Sequence, residues 1–152
     1  MSLILTENLE ELMYYKEGFN MLLGPLIAEG GSRKVYECAL DPTLVVKLDP
    51  FSPYSNRLEN FIWNESRWKP DVQKWLAPVV SISDSGRILI QKRTTPLDHS
   101  KYPKRLPAFL TDTKYVNYGM LGKQFVCHDY DLTRIAKVGL STRLVKVDWW
   151  GK

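Results

Sequence analysis

With two cysteines and two histidines in 152 residues, the chain has little material for several kinds of chemistry. Cys38 and Cys127 lie far apart without CxxC spacing, which excludes a disulfide framework and a clustered zinc site and leaves buried thiols as the expectation. His99 and His128 cannot build a histidine dyad with its partners or a multi-histidine metal site, so His128 beside Asp129 is read as a hydrogen-bonding neighbour. Ser32 follows Gly30-Gly31 outside any GxSxG elbow, and no Ser-His-Asp order supports acyl transfer. No stretch approaches the roughly 18 uninterrupted apolar residues of a membrane span, and the N-terminus lacks the basic start and apolar run of a secretory signal. A cytoplasmic protein without a membrane partner is the expectation. The net charge of +4 is too small to indicate nucleic-acid binding, although it suits phosphate-bearing ligands or acidic partners.

What is present suffices for one domain: 44% of the residues are hydrophobic and 25% are charged. Residues 6 to 22 read as an amphipathic helix, with Asn8 and Glu11 as a capping box and Leu9, Leu12, Met13 and Phe19 recurring at helical spacing; "LGPL" stops it. Two β-prone runs flank Gly30-Gly31-Ser32, and Leu44-Val45-Val46 signals a third strand. A helix over 56–68 ends before Pro70. "LAPVVSIS" and "RILIQKR", joined at Asp84-Ser85-Gly86, make a hairpin, while "TTPLDHSKYPKRLP" reads as a linker. "GMLGKQFVCHDYD" gives two short strands turning at Gly122-Lys123; residues 133–139 suit a short helix, and the alternation in "RLVKVDW" suggests a last strand. The fold class expected is α+β, a mostly antiparallel sheet of about five strands with one packed helix and a smaller second part.

Lys47 sits in an otherwise apolar strand, where an unpaired ammonium costs several kcal/mol or sheds its proton. It therefore calls for an acid, and the following helix offers Glu59 and Glu65. Glu59 is favoured because it shares a face with Asn56, Ile62 and Trp63; Glu65 is the competing choice. Downstream, Asp112, Lys114 and Asn117 fall within one polar stretch, "TDTKYVN", and "VCHDYD" ends an apolar run in Asp129 and Asp131. A carboxylate can take a hydroxyl proton, a lysine can neutralise a phosphoryl group, and a carboxamide with a carboxylate can hold Mg2+. The Trp63, Trp68 and Trp75 group is expected to pack the core and helix, and the terminal Trp149 and Trp150 to cap the core.

In this order the pieces resemble the protein-kinase-like superfamily over roughly residues 26 to 131. "IAEGGSRKVYE" is similar to a degenerate glycine-rich loop, "VVKL" to the strand bearing the nucleotide-binding lysine, "TDTKYVN" to the catalytic loop and "HDYD" to the metal-binding segment. The resemblance implies a single kinase-like domain over 1–152, with a first lobe over about 1–93 and a reduced second lobe over 94–152. It also implies ATP and Mg2+ as ligands. Gly30, Gly31 and Ser32 would cover the phosphates, Lys47 oriented by Glu59 would hold them, and backbone groups from Gln91 to Arg93 would meet adenine. Asp112 would act as base, Lys114 would steady the transferred group, and Asn117 with Asp129 would hold magnesium. The chain departs from the pattern at Leu110-Thr111, which replaces His-Arg, at "DYD", which lacks a glycine, and in the short span between the hinge and Asp112. Three functions follow as expectations: an ATP- and Mg2+-dependent phosphotransferase acting on a protein or small-molecule hydroxyl, a weak or inactive kinase-like adaptor binding nucleotide or a partner protein, and a small regulator of a nucleic-acid enzyme. Apolar side chains left uncovered in the second part could serve a homodimer or partner surface.

Overall fold

Short β-branched runs punctuated by Gly, Pro and Asp build a sheet before anything else. The computed structural model describes residues 2–131 and 139–152. Strands β1 (Leu23–Glu29), β2 (Lys34–Cys38), β3 (Leu44–Leu48), β4 (Val79–Ile82) and β5 (Ile88–Lys92) form one sheet in the order β1-β2-β3-β5-β4, with every neighbouring pair antiparallel. The protein is therefore α+β around a five-stranded antiparallel sheet. The β4–β5 turn closes at Gly86, whose φ of 78° suits glycine.

"LGPL" does not simply stop a helix; it opens β1. Pro25 is tolerated there because β1 is an edge strand and needs only one ladder, and the pairing with β2 slips between Leu23 and Leu26 and again before Ala28. Helix α1 (Ser2–Leu22) begins upstream of Asn8, so the expected capping box lies inside the helix. Its apolar stripe does not reach a core either, since every residue from Asn8 to Met21 is exposed.

Helix α2 (Tyr54–Ser66) lies near the expected span and buries Asn56, Glu59, Ile62 and Ser66, a helical face with two polar groups at its start. Pro70 does more than end α2: it starts a one-turn helix, α3 (Pro70–Gln73). Strand β3 runs through the centre of the sheet with Val45, Val46 and Lys47 all buried, which denies Lys47 an exit to solvent.

The second part contains a hairpin of β7 (Tyr118–Leu121) and β8 (Gln124–Cys127), turning at Gly122 with φ 61°, and a separate pair, β6 (Arg105–Pro107) with β9 (Leu144–Lys146). β6 lies in the stretch read as a linker. Its partner is roughly forty residues away, a distance at which local composition carries no pairing signal. The expected helix over 133–139 includes residues outside those described. One apolar cluster joins Ile62 of α2 and Val72 of α3 to Leu76, Leu106, Phe109, Leu110, Tyr118 and Tyr130. Trp63, Trp75 and Trp149 pack against it, whereas Trp68 is 87% exposed and joins no core. Cys38 and Cys127 are both buried free thiols. Among the described residues no helix is long and apolar enough to cross a membrane.

Candidate functional site

The cleft of interest, about 550 Å³ in volume, runs between the Gly30–Ser32 loop, the floor of the sheet and the segment that follows β8. That volume falls within the range of small-molecule sites. Lys47 lies at its floor, and its Nζ donates to Glu59 Oε1 and Oε2 at 3.2 and 3.0 Å and to the carbonyl of His128. Glu65, the alternative partner, is exposed. The ammonium thus meets the condition set by its burial, a carboxylate and a carbonyl in place of water.

A second cation enters from the loop. Arg33, next after Ser32, is 8% exposed, and its Nη2 lies 2.5 Å from Glu59 Oε1, contacts Asp129 Oδ1 and stands 3.8 Å from Asp131 Oδ1. Its Nη1 donates to Asn56 Oδ1 at 3.3 Å, and Asn56 Nδ2 in turn donates to the Lys47 carbonyl at 3.2 Å. Asn56 ties loop, strand and helix together. Burial works against the charge of Arg33, but Glu59 and Asp129 outweigh it and hold the guanidinium above its ordinary pKa. The two aspartates diverge. Burial would raise Asp129, yet Lys47 and Arg33 hold it down at about 2; burial together with the Asp129 charge pushes Asp131 up to about 6. His128 is held neutral, pushed down to about 4 by burial and then by Lys47. Its Nε2 lies 2.7 Å from the Val116 carbonyl, which can only accept, so the proton sits on Nε2 and Nδ1 accepts from Thr94 Oγ1 at 2.7 Å.

Gly30, Gly31 and Ser32 line the cleft, and beside Gly31 a Cβ would meet nothing within 4 Å. Gln91 also lines it and is fully buried; its Nε2 donates to the Ala77 carbonyl at 3.2 Å, while Oε1 has no hydrogen-bond partner among the described residues. The expected backbone grip of Gln91 to Arg93 is largely spent. Lys92 N donates to the Pro78 carbonyl at 2.9 Å and Arg93 N to the Thr43 carbonyl at 2.8 Å, and the Arg93 guanidinium pairs with Glu37. Among the described residues, the group left without a partner in this segment is the Gln91 Oε1, and it is buried.

The "TDTKYVN" stretch reaches the cleft through Tyr115 and Val116 but not through its charged residues. Asp112 is exposed, and its Oδ1 accepts from the Lys114 N–H at 3.3 Å in a local turn. Lys114 Nζ stands 4.8 Å over the Trp150 ring. Neither residue lines the cleft. Asn117 is buried and close to the Asp129 segment through its carbonyl, which accepts from His128 N at 2.8 Å, but it does not line the cleft either. The reason is the pairing of this stretch with the segment after β9: Trp150 N donates to Thr113 O at 3.3 Å, and Tyr115 N to Trp150 O at 3.0 Å. The Asp112–Lys114 end of the loop is thereby tied to the segment after β9, while Tyr115 and Val116 stay at the cleft wall. Arg33 and Asn56, by contrast, carry no role in the sequence reading. The one available signal for Arg33 was a long cation placed one residue after the glycine pair.

The chain matches no family model and no curated protein.

The carboxylates do not fit the magnesium ion that the kinase-like resemblance implies. Glu59, Asp129 and Asp131 offer oxygens within 4.8 Å of one another, a suitable spacing, but Arg33 Nη2 already stands among them. A divalent ion and the guanidinium cannot share that position.

Proposed function

We propose that the protein is a nucleotide-binding module of kinase-like architecture, the adaptor-like of the expected functions, rather than an efficient phosphotransferase. The observation that carries this reading is the Lys47 ammonium, buried against Glu59 and set beside Asp129 at the floor of a ligand-sized cleft roofed by a glycine-bearing loop. Gln91 lines the cleft and its buried Oε1 has no partner among the described residues, at a cost of about 1–3 kcal/mol; a turn of the side chain toward the cleft would let the exocyclic amino group of a nucleobase recover it. The open space over Gly31 supports close approach of a phosphate to backbone N–H groups. Asp112 and Lys114 lie away from the cleft, so the base that the kinase-like resemblance implies is not among the described residues that line it.

The phosphotransferase reading is favoured by one feature, the convergence of Lys47, Glu59 and Asp129 at a single point. A titration separates the two. ADP and ATP at about a hundredfold their Kd are expected to raise the melting temperature by roughly 5–10 °C in the wild type and not in Lys47→Ala, with no ADP formed from ATP. Absence of any shift at millimolar nucleotide sinks the nucleotide reading. Steady ADP formation that is lost in Asp112→Asn restores the enzyme.

A further inference from the structure

The cluster of Glu59, Asp129 and Asp131 combines a metal-like spacing with an occupant that is not a metal. Donor oxygens around a hard divalent ion sit at about 2.1–2.5 Å from it and roughly 3–5 Å from one another. The three carboxylates here lie within 4.8 Å of each other and match that span. Their common neighbour is Arg33 Nη2, 2.5 Å from Glu59 and 3.8 Å from Asp131, and in contact with Asp129.

A guanidinium does not give up its proton inside a protein, so this charge is permanent. It is also pinned. Nη1 is engaged by Asn56, Gly30 N donates to the Arg33 carbonyl at 2.9 Å, and the residue that follows enters β2 in register with Leu48. Among the described residues the three carboxylates face two cations, Arg33 and Lys47, which leaves one negative charge; without Arg33 there would be two, the charge a divalent ion neutralises.

We propose that Arg33 is the resident cation of this cluster, standing where a divalent ion would otherwise be held. Two consequences follow. The wild-type cluster takes up no divalent ion, and nucleotide binding in the cleft is indifferent to Mg2+, because the carboxylate oxygens through which an ion would bridge to phosphate are already engaged. Removal of the guanidinium uncovers a latent divalent site. The nucleotide half rests on the function proposed above; the metal half does not.

The test uses Mn2+ as a paramagnetic probe and the full chain without nucleotide. Wild type is expected to bind no stoichiometric Mn2+ at submillimolar concentration. Arg33→Ala and Arg33→Gln are expected to bind one ion at least roughly tenfold more tightly, the least that an uncovered unit charge at about 4 Å supplies, and adding Asp129→Asn to either is expected to abolish that gain. One Mn2+ bound equally by wild type and variants overturns the proposal, as does a cooperatively melting variant that binds none. Should neither variant fold, the wild type still decides, because a stoichiometric Mn2+ site in it overturns the proposal. In parallel, ADP is titrated into wild type with Mg2+ and with EDTA. Equal Kd values support the proposal, and a roughly tenfold gain from Mg2+ overturns it. If ADP binds in neither buffer, the nucleotide reading fails and the Mn2+ arms alone decide the role of Arg33.

Discussion

At Glu59 one carboxylate serves two cations: Lys47 lies at 3.0 Å and Arg33 at 2.5 Å, and none of the three side chains is more than 8% exposed. Replacing one partner of such a network leaves buried charge without compensation. Glu59→Gln, which keeps the shape, is expected to cost roughly 3 kcal/mol or more, read from urea unfolding. Asp131 behaves differently. Its folded-state pKa of about 6 is raised above that of the unfolded chain, so it favours the folded state only once protonated, and its contribution is lost as pH rises through about 6. Asp131→Asn is therefore expected to be more stable than wild type above pH 6, with the difference vanishing below about pH 4. The side chain is 38% exposed, and solvent screening limits the gain to the order of 1 kcal/mol. Comparing unfolding curves of the two proteins across that range isolates this group from His128, whose lowered pKa works in the opposite direction: its contribution is lost as pH falls below about 6.5. At this scale the Lys47–Glu59 pairing was legible, because an apolar strand around a lysine demands an acid and helical periodicity puts Glu59 on the inward face. Arg33 was not legible, since a cation beside a glycine pair reads equally well as solvated.

Among the elements, the local ones were readable: the β4–β5 and β7–β8 hairpins and α2 announce themselves through alternation, helical spacing and turn residues. The β6–β9 pair was not, because it joins segments roughly forty residues apart and each strand is three residues long. That seam explains where "TDTKYVN" goes and why Asp112 misses the cleft. Trp149 anchors it, with its Nε1 donating to the Pro103 carbonyl at 2.8 Å and its ring set edge-on to Tyr102 and Tyr118 and stacked near Tyr115. Trp150 is 52% exposed, and its described ring contact is with Lys114. The sequence treated the two tryptophans alike; the structure separates them. Trp149→Ala is expected to destabilise by about 3–5 kcal/mol and Trp150→Ala by under about 1 kcal/mol in thermal or urea melts.

For the molecule as a whole, the single apolar cluster places α2 and the second part in one packing unit, while α1 stands apart. From Asn8 to Met21 every residue of α1 is exposed, including Leu9, Leu12, Tyr15 and Met21. Leu9→Ser and Leu12→Ser are each expected to leave the melting temperature within about 2 °C of wild type, because neither removes buried apolar surface. The amphipathic pattern of this helix was plain in the sequence, but a pattern cannot say whether anything covers it.

The antiparallel neighbours β1-β2-β3 and β4-β5 close over short spans, whereas β3 meets β5, and β6 meets β9, across roughly forty residues, loops that cost more entropy than any hairpin. On this ordering the local hairpins are expected to form first, and the β3–β5 pairing around Lys47 and the seam beside Asp112 to close later. The indole of Trp149, partly buried among Tyr102, Tyr115 and Tyr118 only when that seam is shut, is expected to mark its closure by a change in fluorescence.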